Sequence, residues 1–223
     1  MFVMNRQNQI KLRIVCCLML LSLPCRTFAH PHSWMDLQTY IKSSQTALTG
    51  FSMVWTFDPM TTAYLFDGED MSDGHRKQTL QKLADSMIRN MLSTHYFTYF
   101  YDNKTPVRYQ KVNTAKLTTH AGKATLSFEL NLVKPYPFNG HTLQLRIFDP
   151  TYYVDMSWKS AKDVKLNPAA GEHCVTRLKA PHPTSAQVSY AMSIPADADP
   201  DDTLGQLFTQ TLELTCHPEP NHS

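Results

Sequence analysis

Glycine is scarce in this 223-residue chain: the seven glycines are scattered singly, and none builds the glycine-rich turn that cradles a phosphate. The chain also lacks a G-x-S-x-G elbow and an H-E-x-x-H pair, so the signatures of a nucleotide fold, an α/β-hydrolase and a zinc protease are all missing. The protein is therefore expected not to be an enzyme. Acidic residues are absent from the first 29 positions, which hold Arg6, Lys11, Arg13 and Arg26. Setting those four aside from 21 basic residues leaves 17 against 19 acidic ones, a balance of −2, and nothing in it argues for nucleic-acid binding. Long apolar runs are missing as well. The run from Ile14 to Leu23 covers ten residues, about half of the ~20 that a membrane-spanning helix needs.

What the N-terminus does contain reads as a cleavable secretory signal, residues 1–29. Arg6, Lys11 and Arg13 form a positive region, Ile14 to Leu21 an apolar one, and Pro24 to Ala29 a polar end closing on a small residue. The expected exported chain, 30–223, begins at His30 as a single periplasmic metal-binding domain with no stable membrane anchor. Cys16, Cys17 and Cys25 leave with the signal, so Cys174 and Cys216 remain as one expected disulfide. A thiolate metal site using Cys216 and His217 is the alternative.

Along the exported chain the apolar and polar residues alternate in short runs. His32 to Lys42 and Leu48 to Asp58 read as a hairpin across Ser43 to Thr46. Further strands are expected at 96–101, 107–112, 116–120, 124–133, 142–148, 152–158, 174–179, 187–194 and 211–216. One main helix interrupts them, because Leu80, Leu83, Ala84, Met87 and Met91 follow helical spacing over about 75–92, with Ser72 or Asp73 as its N-cap. A turn or two of helix follows around Thr203 to Phe208. The expected fold class is α+β: a mostly antiparallel, β-sandwich-like domain with one main helix.

All ten histidines lie beyond residue 29, and His30 and His32 open the exported chain. In an extended segment His30, His32, Trp34 and Asp36 project to one side. Paired imidazoles with a nearby carboxylate suit zinc, with copper or nickel as alternatives. Pro31 has no amide hydrogen to lose, which blocks the full square-planar chelate of an N-terminal His-x-His. Pairing Met35 with Trp55, Leu37 with Met53 and Thr39 with Phe51 places His32 opposite Asp58. The Phe57-Asp58-Pro59 end of one strand is echoed by Phe148-Asp149-Pro150, so Asp149 joins His30, His32 and Asp58 as the expected metal set. The acidic loop from Asp67 to Gly74 fails the EF-hand pattern, since Met71 and Ser72 stand at its fifth and sixth positions.

His30-Pro31-His32-Ser33-Trp34, Trp55 to Asp58, His95-Tyr96-Phe97, Phe148 to Tyr153 and the late cysteine pair together resemble a family of bacterial periplasmic proteins. These carry a domain of unknown function, DUF1007, and are labelled periplasmic components of an ABC-type transport system. The resemblance covers essentially the whole exported chain. It implies a zinc-binding accessory protein working with a membrane metal permease similar to nickel/cobalt transporters. A copper-dependent oxidoreductase using His30, a hydrolase using Asp58 and Asp149, and a metal-free β-sandwich interaction module are the competing readings.

Overall fold

Burial along the first hairpin follows the alternation in its sequence. In β1 (Ser33–Ser43) Met35, Leu37, Thr39 and Ile41 turn inward while Trp34, Gln38 and Tyr40 face out. In β2 (Ala47–Phe57) Phe51, Met53, Trp55 and Phe57 do the same. This computed structural model describes residues 31–194 and 201–218. His30 and His222 lie outside the described residues.

After the hairpin come α1 (Pro59–Leu65), α2 (Arg76–Met91), a 3-10 segment at Leu92–Phe97, β3 (Thr98–Asp102) and β4 (Thr105–Pro106). They are followed by β5 (Ala115–His120), β6 (Lys123–Pro137), β7 (Thr142–Ile147), β8 (Val154–Ser157) and β9 (Val164–Leu166). The chain continues through α3 (Pro168–Gly171), β10 (Cys174–Lys179), α4 (Ser185–Ser193), α5 (Gly205–Phe208) and β11 (Thr211–Cys216). One sheet runs β5-β6-β2-β1-β8, with β9 also on β1, and the other runs β10-β11-β7-β3-β4. Pairing is antiparallel except where β8 and β9 lie parallel to β1. The fold is α+β, as the sequence implies.

The two inner faces share one core. Phe51 of the first sheet meets Phe100 of the second edge to face, with ring centroids 5.0 Å apart. Ala84, Ile88 and Met91 bring α2 into the same core. Fully burying an aliphatic or aromatic side chain of this size contributes roughly 1.5 to 3 kcal/mol, so this shared core dominates the stability of the domain.

Four expectations need correction. The hairpin pairs Met35 with Phe57, Leu37 with Trp55 and Thr39 with Met53, two residues away from the register read from the pattern. Ser44 donates its N–H to the carbonyl of Ala47, closing a two-residue turn, and Thr49 bulges out of β2 between Leu48 and Gly50. Turn and bulge each displace the pairing by one, so every side chain keeps its face while its partner changes. Gly50, with φ of 153°, completes the bulge, and a Cβ there would lie 2.3 Å from the carbonyl oxygen of Leu130. Residues 187–194, expected as a strand, lie mostly in α4, where Thr184 and Gln187 form a capping box. Residues 107–112 form no regular strand: an isolated bridge joins Tyr109 to Leu132, and the Val107 N–H donates to the Phe100 carbonyl. Finally, α2 starts after His75 with no side-chain cap, and Asp70 instead accepts from the N–H and hydroxyl of Ser72.

Candidate functional site

His32 enters β1 at the edge where β8 runs beside it. Its N–H donates to the carbonyl of Tyr153 at 2.9 Å, and its imidazole packs on the Tyr153 ring at 4.9 Å. The sequence places Asp58 opposite His32, but the two-residue change in register puts Asp58 beside Trp34 instead. The Asp58 N–H donates to the carbonyl of Trp34, and the Trp34 N–H donates back to Oδ2 of Asp58, each at 3.0 Å.

Asp58 is also the N-cap of α1. Its Oδ1 accepts from the N–H groups of Met60 and Thr61, at 2.8 and 3.0 Å, and Pro59 takes the first helical position. Thr61 adds its hydroxyl to Oδ2. Partial burial alone would raise the Asp58 pKa, but the Thr61 hydroxyl and the N–H groups of Trp34, Thr61 and Met60 together hold it below the usual carboxylate range. The Asp-Pro pair, read from sequence as a strand end, closes β2 and also starts a helix.

Asp149 plays the corresponding part in the loop before β8. It accepts from the N–H and hydroxyl of Thr151 and from the N–H of Val154, at 2.9 to 3.1 Å. The buried carboxylate thereby folds the 149–154 loop so that Tyr153 reaches His32. Both aspartates spend their lone pairs on chain donors around His32. They shape the loops on either side of it, and among the described residues no group of three or more His, Cys, Asp or Glu is placed to hold a metal.

A carboxylate that the sequence reading passed over lies on the other side of Trp34. Asp155 is paired with Trp34 in the parallel β1 and β8 register, so its side chain shares the outer face with His32 and Trp34. Burial pushes the Asp155 carboxyl up from its ordinary value. Burial, then Asp155, push the neighbouring Tyr152 phenol up to about 12, while the Tyr152 ring stacks on Phe208 at 4.3 Å. Asp155 stands mid-strand in an alternating run and carries no sequence signature; only the parallel pairing of β8 with β1 brings it here. Trp34, which pairs with Asp155, is 49% exposed, and Tyr153, which packs on His32, is 52% exposed, so this end of the sheet presents aromatic surface.

The remaining residues singled out by sequence lie elsewhere. Cys174 and Cys216 face each other in the β10 and β11 register and form the disulfide. His141 meets Asp102 at 3.0 Å, and the Tyr136 hydroxyl and His141 hold the Asp102 carboxyl below its ordinary value.

These features define a two-sheet α+β domain with a histidine at the entry of its first strand and two aspartates locking the loops around it. The chain belongs to the family described as "Protein of unknown function (DUF1007)", whose model matches residues 15–216. It is similar to an uncharacterized protein of Haemophilus influenzae, 32% identical over 192 residues that cover 84% of this chain and 91% of the relative.

Proposed function

We propose that the protein is an exported, periplasmic accessory protein that binds zinc as cargo and passes it to or from a membrane metal permease. The observation that carries this reading is the placement of His32, one residue beyond His30-Pro31, on an outer face it shares with the carboxylate of Asp155. Side chains opposed or diagonal across adjacent strands are within reach of one another. His32 and Asp155 offer one nitrogen and one oxygen ligand there, and His30, two residues earlier in sequence, would add a second imidazole of the kind zinc prefers. Asp58 and Asp149 act as positioning residues, holding the Trp34 amide and the Tyr153 loop. The exposed Trp34 beside Asp155 and Tyr153 beside His32 suit docking onto an apolar permease surface. The charge balance of −2 beyond residue 29 favours no nucleic-acid partner.

Calorimetry with zinc tests the reading, using protein whose first residue is shown by mass to be His30, beside a chain lacking residues 30–32. The intact chain should bind one zinc, with affinity falling on acidification because protonated imidazole cannot ligate. Equal affinity in both chains would remove the N-terminal site, and no zinc bound by either would remove the cargo.

A further inference from the structure

The outer face of the second sheet carries more polar side chains than the fold uses. Phe100, Leu145 and Ile147 turn into the core, so alternation sends Tyr99 and Tyr101 of β3 and Gln144 and Arg146 of β7 outward. The register sets Tyr99 directly opposite Arg146 and Tyr101 opposite Gln144. Phe148 continues the row, its ring stacked on Tyr99 with centroids 4.5 Å apart. Two walls rise beside this floor. The turn after β3 brings Lys104, and the chain around the start of α5 brings Asp202 and Gln206. The Gly205 N–H donates to the Pro150 carbonyl at 2.7 Å, which seats the second wall against the 149–154 loop. The space between them is about 520 Å³, within the 300 to 1,000 Å³ typical of small-molecule sites.

Two observations point to an occupant. Arg146 stands mid-strand and half-buried, yet its guanidinium makes no ion pair or hydrogen bond with any described residue. An arginine drawn partly out of water is normally paired, and its planar fork matches a carboxylate. The second observation is that the side chains of Gln144 and Gln206 and the hydroxyls of Tyr99 and Tyr101 are likewise uncommitted, so donors and acceptors converge on the space beside the aromatic rings. Burial, then Tyr101, Asp149 and Asp202, push the Tyr99 phenol up, so it stays a neutral donor. Asp202 adds an acceptor at the rim, which favours a ligand with hydroxyl groups over a bare anion.

We propose that this pocket binds an acidic sugar, a pyranose that carries a carboxylate. The carboxylate pairs with the fork of Arg146, the hydroxyls bond to Gln144, Gln206 and Asp202, and the C–H face of the ring packs on Tyr101. The site lies on the outer face of the second sheet and does not rest on the zinc reading.

Amide NMR titration of the intact protein with D-glucuronate, D-glucose and benzoate tests the proposal. Glucuronate should give saturable shifts over Tyr99 to Lys104 and Gln144 to Phe148. Glucose, which lacks the charge, and benzoate, which lacks the hydroxyls, should each bind about tenfold more weakly. Arg146→Gln should bring glucuronate down to the level of glucose while the rest of the amide spectrum stays in place. Arg146→Lys, which keeps the charge and loses the fork, should fall between the two. Tyr101→Ala should weaken both sugars alike. The proposal is overturned if glucuronate gives no saturable shift, if glucose binds as tightly, if benzoate does, which would leave an anion site only, or if Arg146→Gln binds as the parent does.

Discussion

In the proposed zinc site Asp155 would serve binding at the expense of the fold. Its carboxyl is raised by burial, so the folded state disfavours the charge it must carry at neutral pH. The sign follows directly. The penalty is absent below the unfolded value near 3.9, develops as pH rises through the higher folded value, and is complete above it. Asp155→Asn should therefore raise the thermal midpoint at pH 7 by on the order of 2 °C and leave it unchanged near pH 3, as read by scanning calorimetry. Zinc affinity should fall in the same variant, and a rise in stability without that fall would show that Asp155 is no ligand. Asp58 has the opposite character, since its chain donors favour the charged form and it stabilises the fold above the acid range.

At the scale of elements, the site depends on how loops are seated. The 149–154 loop rests on α5, where the N–H of Gly205 donates to the Pro150 carbonyl at 2.7 Å. A Cβ at Gly205 would lie 1.9 Å from the Asp149 carbonyl oxygen, so only glycine fits. Gly205→Ala should cost about 1 to 3 kcal/mol of stability in urea unfolding, as overpacking does. Because the displaced loop carries Tyr153 away from His32, the same variant should also weaken zinc binding. Unchanged stability would mean that the loop relaxes without cost.

At the scale of the whole molecule, the second sheet is closed at its far edge by the disulfide, 42 residues apart in sequence and directly opposed in β10 and β11. In the chain-entropy account a loop of this length is worth roughly 4 kcal/mol, and native bridges typically deliver 2 to 5. Replacing both cysteines by alanine should thus lower the unfolding free energy by about 2 to 4 kcal/mol in guanidinium titration. If the alanine variant keeps its stability, the antiparallel pairing alone closes the sheet.

The sequence by itself determined which faces are buried, where the main helix lies and which cysteines pair. Period-two alternation, period-3.6 spacing and a cysteine count are local or compositional signals, so they survive any error in long-range pairing. That is why β10, β11 and α2 match their expected bounds within a residue. Tertiary structure alone decided who meets whom. The turn from Ser44 to Ala47 and the bulge at Thr49 together changed the partner of Asp58 from His32 to Trp34 without altering a single buried face, because a shift of two residues leaves the alternation intact. The parallel pairing of β8 brought Asp155 to the outer face of β1, and the pairing of β3 with β7 set Tyr99 beside Arg146. Such contacts arise between segments about 120 residues apart for β1 and β8, and no local pattern encodes them.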